Sequence, residues 1–322
     1  MFGLNYAMIQ AFKSFPLVVR LSLVFCILIF NLILFPIVAA FILAPFCGMD
    51  RVSAIAMGTV VTQSDKYIFL FLQGFSSLGM FAFTALLVSQ LETKHIFKRL
   101  GLTTKPALGL VALALIGVLL AQAFIQFLVQ INQSIPLPDA LKSLLEAEKK
   151  EELLMDNLLG GNSWVMFLAN ALVLALIPAI GEELFFRGVL LGELLKSKVN
   201  PAAAIIFTGL VFSLFHGEFS NILAIWALGS FLGYLYYVSG SLWVSVFAHF
   251  TNNFLFVLLK YLYNTGHLSK DLADADMPLY ATLISCVLFA LCLLALNKWR
   301  KPVDFALALN DPEIIANEEH YN

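Results

Sequence analysis

Two adjacent carboxylates and one arginine lie inside an apolar part of this chain, where a charge is costly. Glu182, Glu183 and Arg187 follow a long hydrophobic run. A charged side chain at the centre of a membrane helix costs about 2.5 kcal/mol or more, and such side chains generally face a bundle interior and carry function. This segment therefore predicts a buried polar site.

Two later apolar segments contain side chains that can act together with these carboxylates. Phe212 and His216 are four residues apart in the first, and His249 and Asn253 are four residues apart in the second. Residues at this spacing share one face of a helix, so Phe212 should pack beside the His216 imidazole. A carboxylate, two imidazoles and an amide on three segments form a set suited to hydrolysis.

The spacing gives the two glutamates different roles. Glu183 and Arg187 are related as i and i+4, so they can pair within one helix and lower the cost of burying both charges. Glu182 lies about 100° away around the helix and has no such local partner. An unpaired carboxyl group in an apolar cavity holds a proton more readily, which suits a general base. We therefore assign the base to Glu182 and the structural pair to Glu183 and Arg187.

A depth argument brings Glu182 and His216 to one site. If their segments form an antiparallel hairpin that turns near Val199, each residue is 17 positions from the turn and both lie at the same depth. Pro178 removes a backbone hydrogen bond just before Glu182 and can kink the helix to open space there. A tolerated membrane proline without that role is the alternative.

The composition is that of a membrane protein. Hydrophobic residues make up 61% of the chain and charged residues 12%, whereas soluble globular proteins carry about 25% charged residues. The net charge of -2 does not bear on nucleic acid, but the chain has no basic stripe to hold phosphates, so we expect no nucleic-acid partner. We expect no disulfide framework or metal site from the four cysteines, which are Cys26, Cys47, Cys286 and Cys292.

The apolar stretches predict an all-α polytopic membrane protein with about eight transmembrane helices. Each stretch is near the roughly 20 residues that cross the hydrocarbon, although the fifth is short enough to be re-entrant. The stretches cover about 20–45, 68–91, 107–131, 163–190, 202–217, 220–238, 241–262 and 278–298. The polar motifs fall in the fourth, fifth and seventh, which places the active site in a membrane cavity of the C-terminal half.

These stretches divide the chain into five parts. They are an N-terminal three-span region (1–131), an extramembrane amphipathic linker (132–162), a catalytic core (163–262), a last span (263–301) and an acidic tail (302–322). The linker alternates leucines with charged residues, which is typical either of a helix on the membrane surface or of a solvated helical connection. We expect the tail to be loosely ordered.

The loop charges predict that both termini are cytoplasmic, in a multi-pass protein of the cytoplasmic (inner) membrane. Lysine and arginine are enriched in cytoplasmic loops. The side that holds both termini carries Lys13, Arg20, Lys94, Lys98, Arg99, Lys105, Lys196, Lys198, Lys298, Arg300 and Lys301. The opposite side carries the smaller set Arg51, Lys66, Lys142, Lys149, Lys150, Lys260 and Lys270.

The three motifs together resemble the CPBP family of intramembrane proteases, which includes the type II CAAX prenyl endopeptidases and the bacterial Abi-like proteins. The family pattern is EExxxR, then FxxxH, then HxxxN, on separate membrane helices. This chain matches it with Glu182-Glu183 and Arg187, with Phe212 and His216, and with His249 and Asn253. The resemblance covers roughly residues 163–262.

The resemblance implies hydrolysis of peptide bonds within the membrane. By analogy, Glu182 activates a water that His216 helps to hold, and His249 and Asn253 stabilise the oxyanion, while Glu183, Arg187 and Phe212 support the site. We expect no obligatory cofactor. Zinc remains possible, with Glu182, His216 and His249 as its three ligands, although the chain has no HExxH helix. The implied partners are membrane lipid and a membrane-associated or lipidated peptide substrate.

Two other classes of function use the same buried groups. A non-catalytic membrane scaffold of this fold has no need to retain Glu182, His216, His249 and Asn253 together. A proton-coupled transporter generally shows inverted repeats or paired broken helices, which this sequence lacks. Proteolysis that depends on Glu182 distinguishes the peptidase from both alternatives.

Overall fold

A computed structural model describes residues 6–135, 142–269 and 278–299, and within them the secondary structure is helical without strands. The helices are α1 (Tyr6–Ser14), α2 (Leu17–Cys47), α3 (Met49–Ala56), α4 (Gln63–Glu92), α5 (Ile96–Arg99), α6 (Leu108–Ser134), α7 (Lys142–Leu159), α8 (Trp164–Lys196), α9 (Pro201–His216), α10 (Ile222–Ser239), α11 (Leu242–Asn264) and α12 (Leu279–Lys298). The predicted acidic tail lies outside the described residues.

The predicted all-α polytopic fold is confirmed. Seven of the helices in the described ranges, α2, α4, α6, α8, α10, α11 and α12, are long and apolar enough to cross a membrane. The remaining predicted span, which is the fifth, corresponds to α9, which is apolar but has only 16 residues. Helices α4 and α8 extend beyond their predicted bounds, and the extension of α8 includes Glu193 and Lys196, which are paired inside the protein.

Helix α8 carries Glu182 and is not a regular α-helix along its length. Two π-helical segments, Ala171–Leu176 and Leu184–Leu191, flank the α-helical part Ile177–Glu183. Pro178 lies at the start of that part, immediately after the first π-helical segment. Insertions of π-helix are frequent at functional sites, since the wider turn changes the direction in which side chains point. The second segment is buried along its whole length.

Helices α9 and α10 form a close antiparallel pair after a tight turn. Gly217 ends α9 in the left-handed region, with φ of +69°, a conformation that glycine adopts without strain. Gly209 and Gly229 face each other where the helices cross, and a Cβ atom on Gly229 would lie 3.2 Å from the Cα of Gly209. Small residues at such crossings allow two backbones to approach closely.

The amphipathic linker contains the predicted helix, α7, and residues 136–141 lie outside the described ranges. Several bonds fasten α7 to the membrane helices. The Glu148 carboxylate accepts hydrogen bonds from the backbone and hydroxyl of Ser220, just beyond α9. Asp156 pairs with Lys260 of α11 at 2.7 Å. Helix α7 is therefore anchored to the C-terminal half of the chain.

Basic residues used above as markers of orientation form a buried ionic network with two carboxylates. Glu92 and Glu193 are fully buried, and Arg99 and Lys196 each contact both of them. Arg20 of α2 lies 2.9 Å from Glu193. Burial disfavours the charge of Arg99, but its attraction to Glu92 and then to Glu193 outweighs this and raises the pKa of the guanidinium.

This ionic network also holds the second π-helical segment of α8. Arg99 donates a hydrogen bond of 2.6 Å from Nη1 to the backbone carbonyl of Gly188. A π-helical turn shifts the backbone pairing, and carbonyls near it can accept bonds from side chains. This bond fixes α8 to α5 one residue after Arg187, and the pair of Lys196 and Glu92 fixes the end of α8 to α4.

Because α9 and α10 pack so closely at Gly209, we expect a methyl group added there to destabilise the protein. Gly209→Ala places a Cβ 2.8 Å from the backbone nitrogen of Ser230, so the helices must separate. We expect a loss of about 1–3 kcal/mol, which is typical of overpacking. The measurement is thermal unfolding of the purified protein in detergent.

Gly233→Ala on the same helix pair is the matched control. Its Cβ would lie 3.5 Å from Ile205 and Leu191, which is ordinary contact, so we expect no loss of stability. Equal melting temperatures for the two variants would contradict the packing described for Gly209.

Candidate active site

The three polar motifs converge on the Glu182 carboxylate. Its Oε2 atom lies 3.9 Å from Nε2 of His216 and 3.9 Å from Nε2 of His249. This oxygen is buried and has no hydrogen-bond partner in the described residues. The depth argument that placed Glu182 beside His216 is therefore confirmed, and His249 reaches the same oxygen from a third helix.

His216 ends α9 with its ring held in one orientation. Nδ1 lies 2.8 Å from the backbone carbonyl of Phe212, and because a carbonyl can only accept, Nδ1 carries the proton of this bond. In a neutral imidazole Nε2 then has a free lone pair, and this nitrogen faces Glu182. His216 can accept a hydrogen bond from a water beside the carboxylate.

His249 is oriented by the second glutamate of the pair. Its Nδ1 lies 2.9 Å from Oε1 of Glu183, and only 2% of the His249 side chain is exposed. An ionised carboxylate can only accept, so Nδ1 of His249 donates and Nε2 is directed to Glu182. A buried carboxylate in this position fixes the tautomer and the orientation of the ring.

Glu183 also pairs with Arg187, as the i,i+4 spacing predicted. Nη1 of Arg187 lies 2.6 Å from Oε1 of Glu183, and both side chains are almost completely buried. Nη2 of Arg187 donates a 2.8 Å hydrogen bond to the backbone carbonyl of Gly229. One buried carboxylate oxygen therefore holds an arginine of its own helix and a histidine of α11, while the arginine reaches α10.

Phe212 packs against His216, His249 and Arg187. This confirms its predicted place beside His216. Its ring centre is 4.5 Å from that of His216 and 5.6 Å from that of His249. The guanidinium carbon of Arg187 lies over the same ring at 4.6 Å. An aromatic face attracts a cation and excludes water, so Phe212 both stabilises Arg187 and keeps water away from this side of the site.

Asn253 lies one turn after His249 on α11, but it makes no hydrogen bond to the Glu182 carboxylate. Its Oδ1 accepts a 3.3 Å hydrogen bond from Nδ2 of the neighbouring Asn252. Its own Nδ2 makes no hydrogen bond to the described residues. The amide therefore retains free donors, and its predicted role in stabilising an oxyanion stays a prediction.

The distances at Glu182 can be compared with those of a metal centre. Four-coordinate zinc holds its nitrogen and oxygen ligands roughly 3.3–3.5 Å apart, whereas Glu182 and each histidine are separated by 3.9 Å. No group of three or more His, Cys, Asp and Glu side chains in the described ranges is arranged to hold a metal ion. A water with hydrogen bonds of about 2.8 Å can reach all three groups.

Comparison with known proteins places this site within a family segment. Residues 164–255 match the family model described as type II CAAX prenyl endopeptidase Rce1-like. This confirms the resemblance inferred from the three motifs. All of the candidate site residues named above lie within this Rce1-like segment, which contains all of α8, α9 and α10 and the first part of α11.

A similar protein is known from Bacillus subtilis (strain 168), under the name "Putative membrane peptidase YdiL". It is 28% identical to this chain over 89 residues, which are 28% of this chain and 36% of that protein. The chain is thus aligned with about a third of its relative. No solved structure matches the chain significantly.

Three features of the site were not foreseen from the sequence. They are the bond from His249 to Glu183, the bond from Arg187 to the Gly229 carbonyl, and the hydrogen bonds that connect Gln122 of α6 to Asn252 and Asn253. Gln122 offered one signal, since it is a polar residue inside an apolar span. A backbone carbonyl offers none.

Because Glu183 and Arg187 form a buried ion pair, we expect the contribution of each side chain to stability to depend on the other. Removing one partner leaves the other charge buried and unpaired, which costs about 3–5 kcal/mol. Glu183→Gln and Arg187→Met should each lower the thermal stability in detergent, and the double variant should lose less than the sum of the two.

A double-mutant cycle of melting temperatures measures this coupling. Glu151→Gln on the exposed surface of α7 is the control for the loss of one carboxylate, and it should leave stability unchanged. Additive losses for Glu183 and Arg187 would show that the pair does not form.

Proposed function

We propose that this protein is an intramembrane endopeptidase that hydrolyses peptide bonds with a water activated by Glu182. The observation that carries the proposal is the buried, unpartnered Oε2 atom of Glu182, 3.9 Å from the Nε2 atoms of His216 and His249. The match of residues 164–255 to an endopeptidase family supports the same reaction class.

The first step is the attack of water on the scissile carbonyl carbon. The water donates one hydrogen to the Glu182 carboxylate and the other to Nε2 of His216, whose Nδ1 proton is held by the Phe212 carbonyl. As the oxygen–carbon bond forms, Glu182 takes the first proton and acts as the general base. The carbonyl oxygen becomes an oxyanion.

The second step is the cleavage of the carbon–nitrogen bond. The proton held by Glu182 passes to the leaving nitrogen, so one carboxyl group acts as base and then as acid. The products are a new carboxylic acid and a new amine, and Glu182 returns to its ionised form. No covalent intermediate with the protein forms along this path.

His249 and Asn253 are proposed to stabilise the oxyanion. When Glu182 and Glu183 are ionised and Arg187 is protonated, the site has an excess negative charge, which a protonated His249 neutralises. Its Nδ1 proton is already bonded to Glu183, so Nε2 is free to donate. Each donor of this kind is commonly worth about 3–4 kcal/mol in the transition state.

The reaction is proposed to need no obligatory metal. The 3.9 Å separations at Glu182 suit a shared water better than a tetrahedral zinc ion. The known ways to activate water at neutral pH include a general base alone, and Glu182 supplies one here.

The proposed substrate is a membrane-associated or lipidated peptide. The Rce1-like description names prenyl endopeptidases, and a lipid anchor would bring a substrate to a site between membrane helices. A small membrane peptide without a lipid is the alternative substrate. We also propose that both termini are cytoplasmic and that the protein resides in the cytoplasmic membrane, because the basic loops are concentrated on that side.

Replacement of the base tests the proposal. Glu182→Gln keeps the shape of the side chain and removes its ability to take a proton, so cleavage should fall by at least about 100-fold. The measurement uses the purified protein in detergent with a quenched lipidated CAAX-type peptide and with a pool of membrane peptides.

Glu151→Gln is the matched control, because Glu151 is exposed on α7, and it should cleave like the wild type. Unchanged cleavage by a folded Glu182→Gln variant would overturn the proposed mechanism. Absence of cleavage by the wild type with every peptide would instead favour a scaffold.

Chelation tests the metal question separately. After treatment with EDTA and removal of the chelator, we expect cleavage to stay within about twofold of its starting rate, since a general base alone can activate the water. Loss of activity that returns on addition of zinc would contradict a reaction driven by Glu182 alone.

A further inference from the structure

A row of three amides extends from the proposed oxyanion donor to a helix outside the Rce1-like segment. Nε2 of Gln122 on α6 donates to Oδ1 of Asn252 at 3.3 Å, and Nδ2 of Asn252 donates to Oδ1 of Asn253 at 3.3 Å. Nε2 of Gln122 is also tied to its own helix through the carbonyl of Val118 at 3.0 Å. The donors of this row all point in one direction along it.

This direction determines which end of the Asn253 amide is free. An amide has one oxygen that accepts and one nitrogen that donates. Because the oxygen of Asn253 is taken by Asn252, its nitrogen is left over, and it makes no hydrogen bond to the described residues. An oxyanion needs a hydrogen-bond donor, and the free nitrogen of Asn253 is one.

We propose that Gln122 and Asn252 are positioning residues that hold the Asn253 amide with its N–H groups available to the substrate oxyanion. The inference rests on the proposed function, in which Asn253 serves as an oxyanion donor. A free asparagine amide can rotate and present either its oxygen or its nitrogen. The row selects the orientation before the substrate binds, which is the arrangement that makes such donors effective.

Asn252→Asp is the variant that should reverse the orientation of the Asn253 amide. A carboxylate at this position can still accept from Gln122, but it cannot donate to Oδ1 of Asn253. It attracts the Asn253 nitrogen instead, and the amide turns its oxygen to the substrate. We expect kcat to fall on the order of 10- to 100-fold, below the loss for deleting an oxyanion donor, while KM changes by less than about twofold.

Gln122→Met is a second variant, without a new charge. Methionine has a similar length and no donor, so it releases Asn252 without placing a carboxylate in the membrane. We expect a loss in kcat of roughly 10-fold or less, with KM again unchanged. Thr251→Val is the matched control, because the Thr251 hydroxyl donates to the Phe247 carbonyl of its own helix and makes no other hydrogen bond to the described residues. It should behave like the wild type.

A kinetic cycle tests whether the effect passes through Asn253. Asn253→Ala removes the donor, and Asn252→Asp added to it should cause no further loss of kcat, since there is no amide left to orient. Losses that multiply in the double variant, or a folded Asn252→Asp protein with wild-type kcat, would overturn the inference. The quenched peptide that the wild type cleaves is the substrate throughout.

A stability cycle keeps the inference separate from the proposed function. Gln122→Met and Asn252→Leu each break the same hydrogen bond, so their effects on the melting temperature should not add. Additive shifts in melting temperature would show that the hydrogen bond between Gln122 and Asn252 does not form, and would overturn the inference. This result does not depend on whether the protein cleaves a peptide. If Glu182→Gln retains cleavage while the stability cycle shows coupling, the proposed mechanism fails and the amide row stands as a structural contact.

Discussion

Glu183 has no exposed side-chain surface, so its negative charge must be neutralised inside the protein. Arg187 does this from the same helix, and His249 donates to the same oxygen from α11. Arg187 then bonds to the carbonyl of Gly229 on α10. The need to neutralise one buried carboxylate thereby fixes α8, α10 and α11 together. Oε2 of the adjacent Glu182 is left without a hydrogen-bond partner among the described residues.

The geometry of the helices makes this arrangement possible. Gly209 and Gly229 let α9 and α10 approach so closely that a backbone carbonyl comes within reach of Arg187. The π-helical segments on both sides of Glu182 and Glu183 alter the direction of the turns that carry them. A second set of buried charges, which includes Arg99 bonded to the Gly188 carbonyl, holds the far end of the same helix. Helix α8 is therefore fixed at both ends of its buried polar face.

Much of this could be predicted from the sequence because it depends on local periodicity. The length of the apolar stretches indicated the eight helices, the i,i+4 spacing indicated the pair of Glu183 and Arg187, and equal distances from the turn indicated that Glu182 meets His216. The bond between His249 and Glu183 depends on how two distant helices rotate about their axes, which spacing does not determine. The role of Gln122 depends in the same way on the packing of α6 against α11.

The central claim is that Glu182 activates a water and does not itself attack the substrate. The most direct measurement is a single turnover in water enriched in ¹⁸O, with mass analysis of the new carboxyl group. Direct attack by an activated water predicts that the first product already carries ¹⁸O. A first product that carries only ¹⁶O would mean that a carboxylate oxygen of the protein had attacked the peptide, and it would contradict the account.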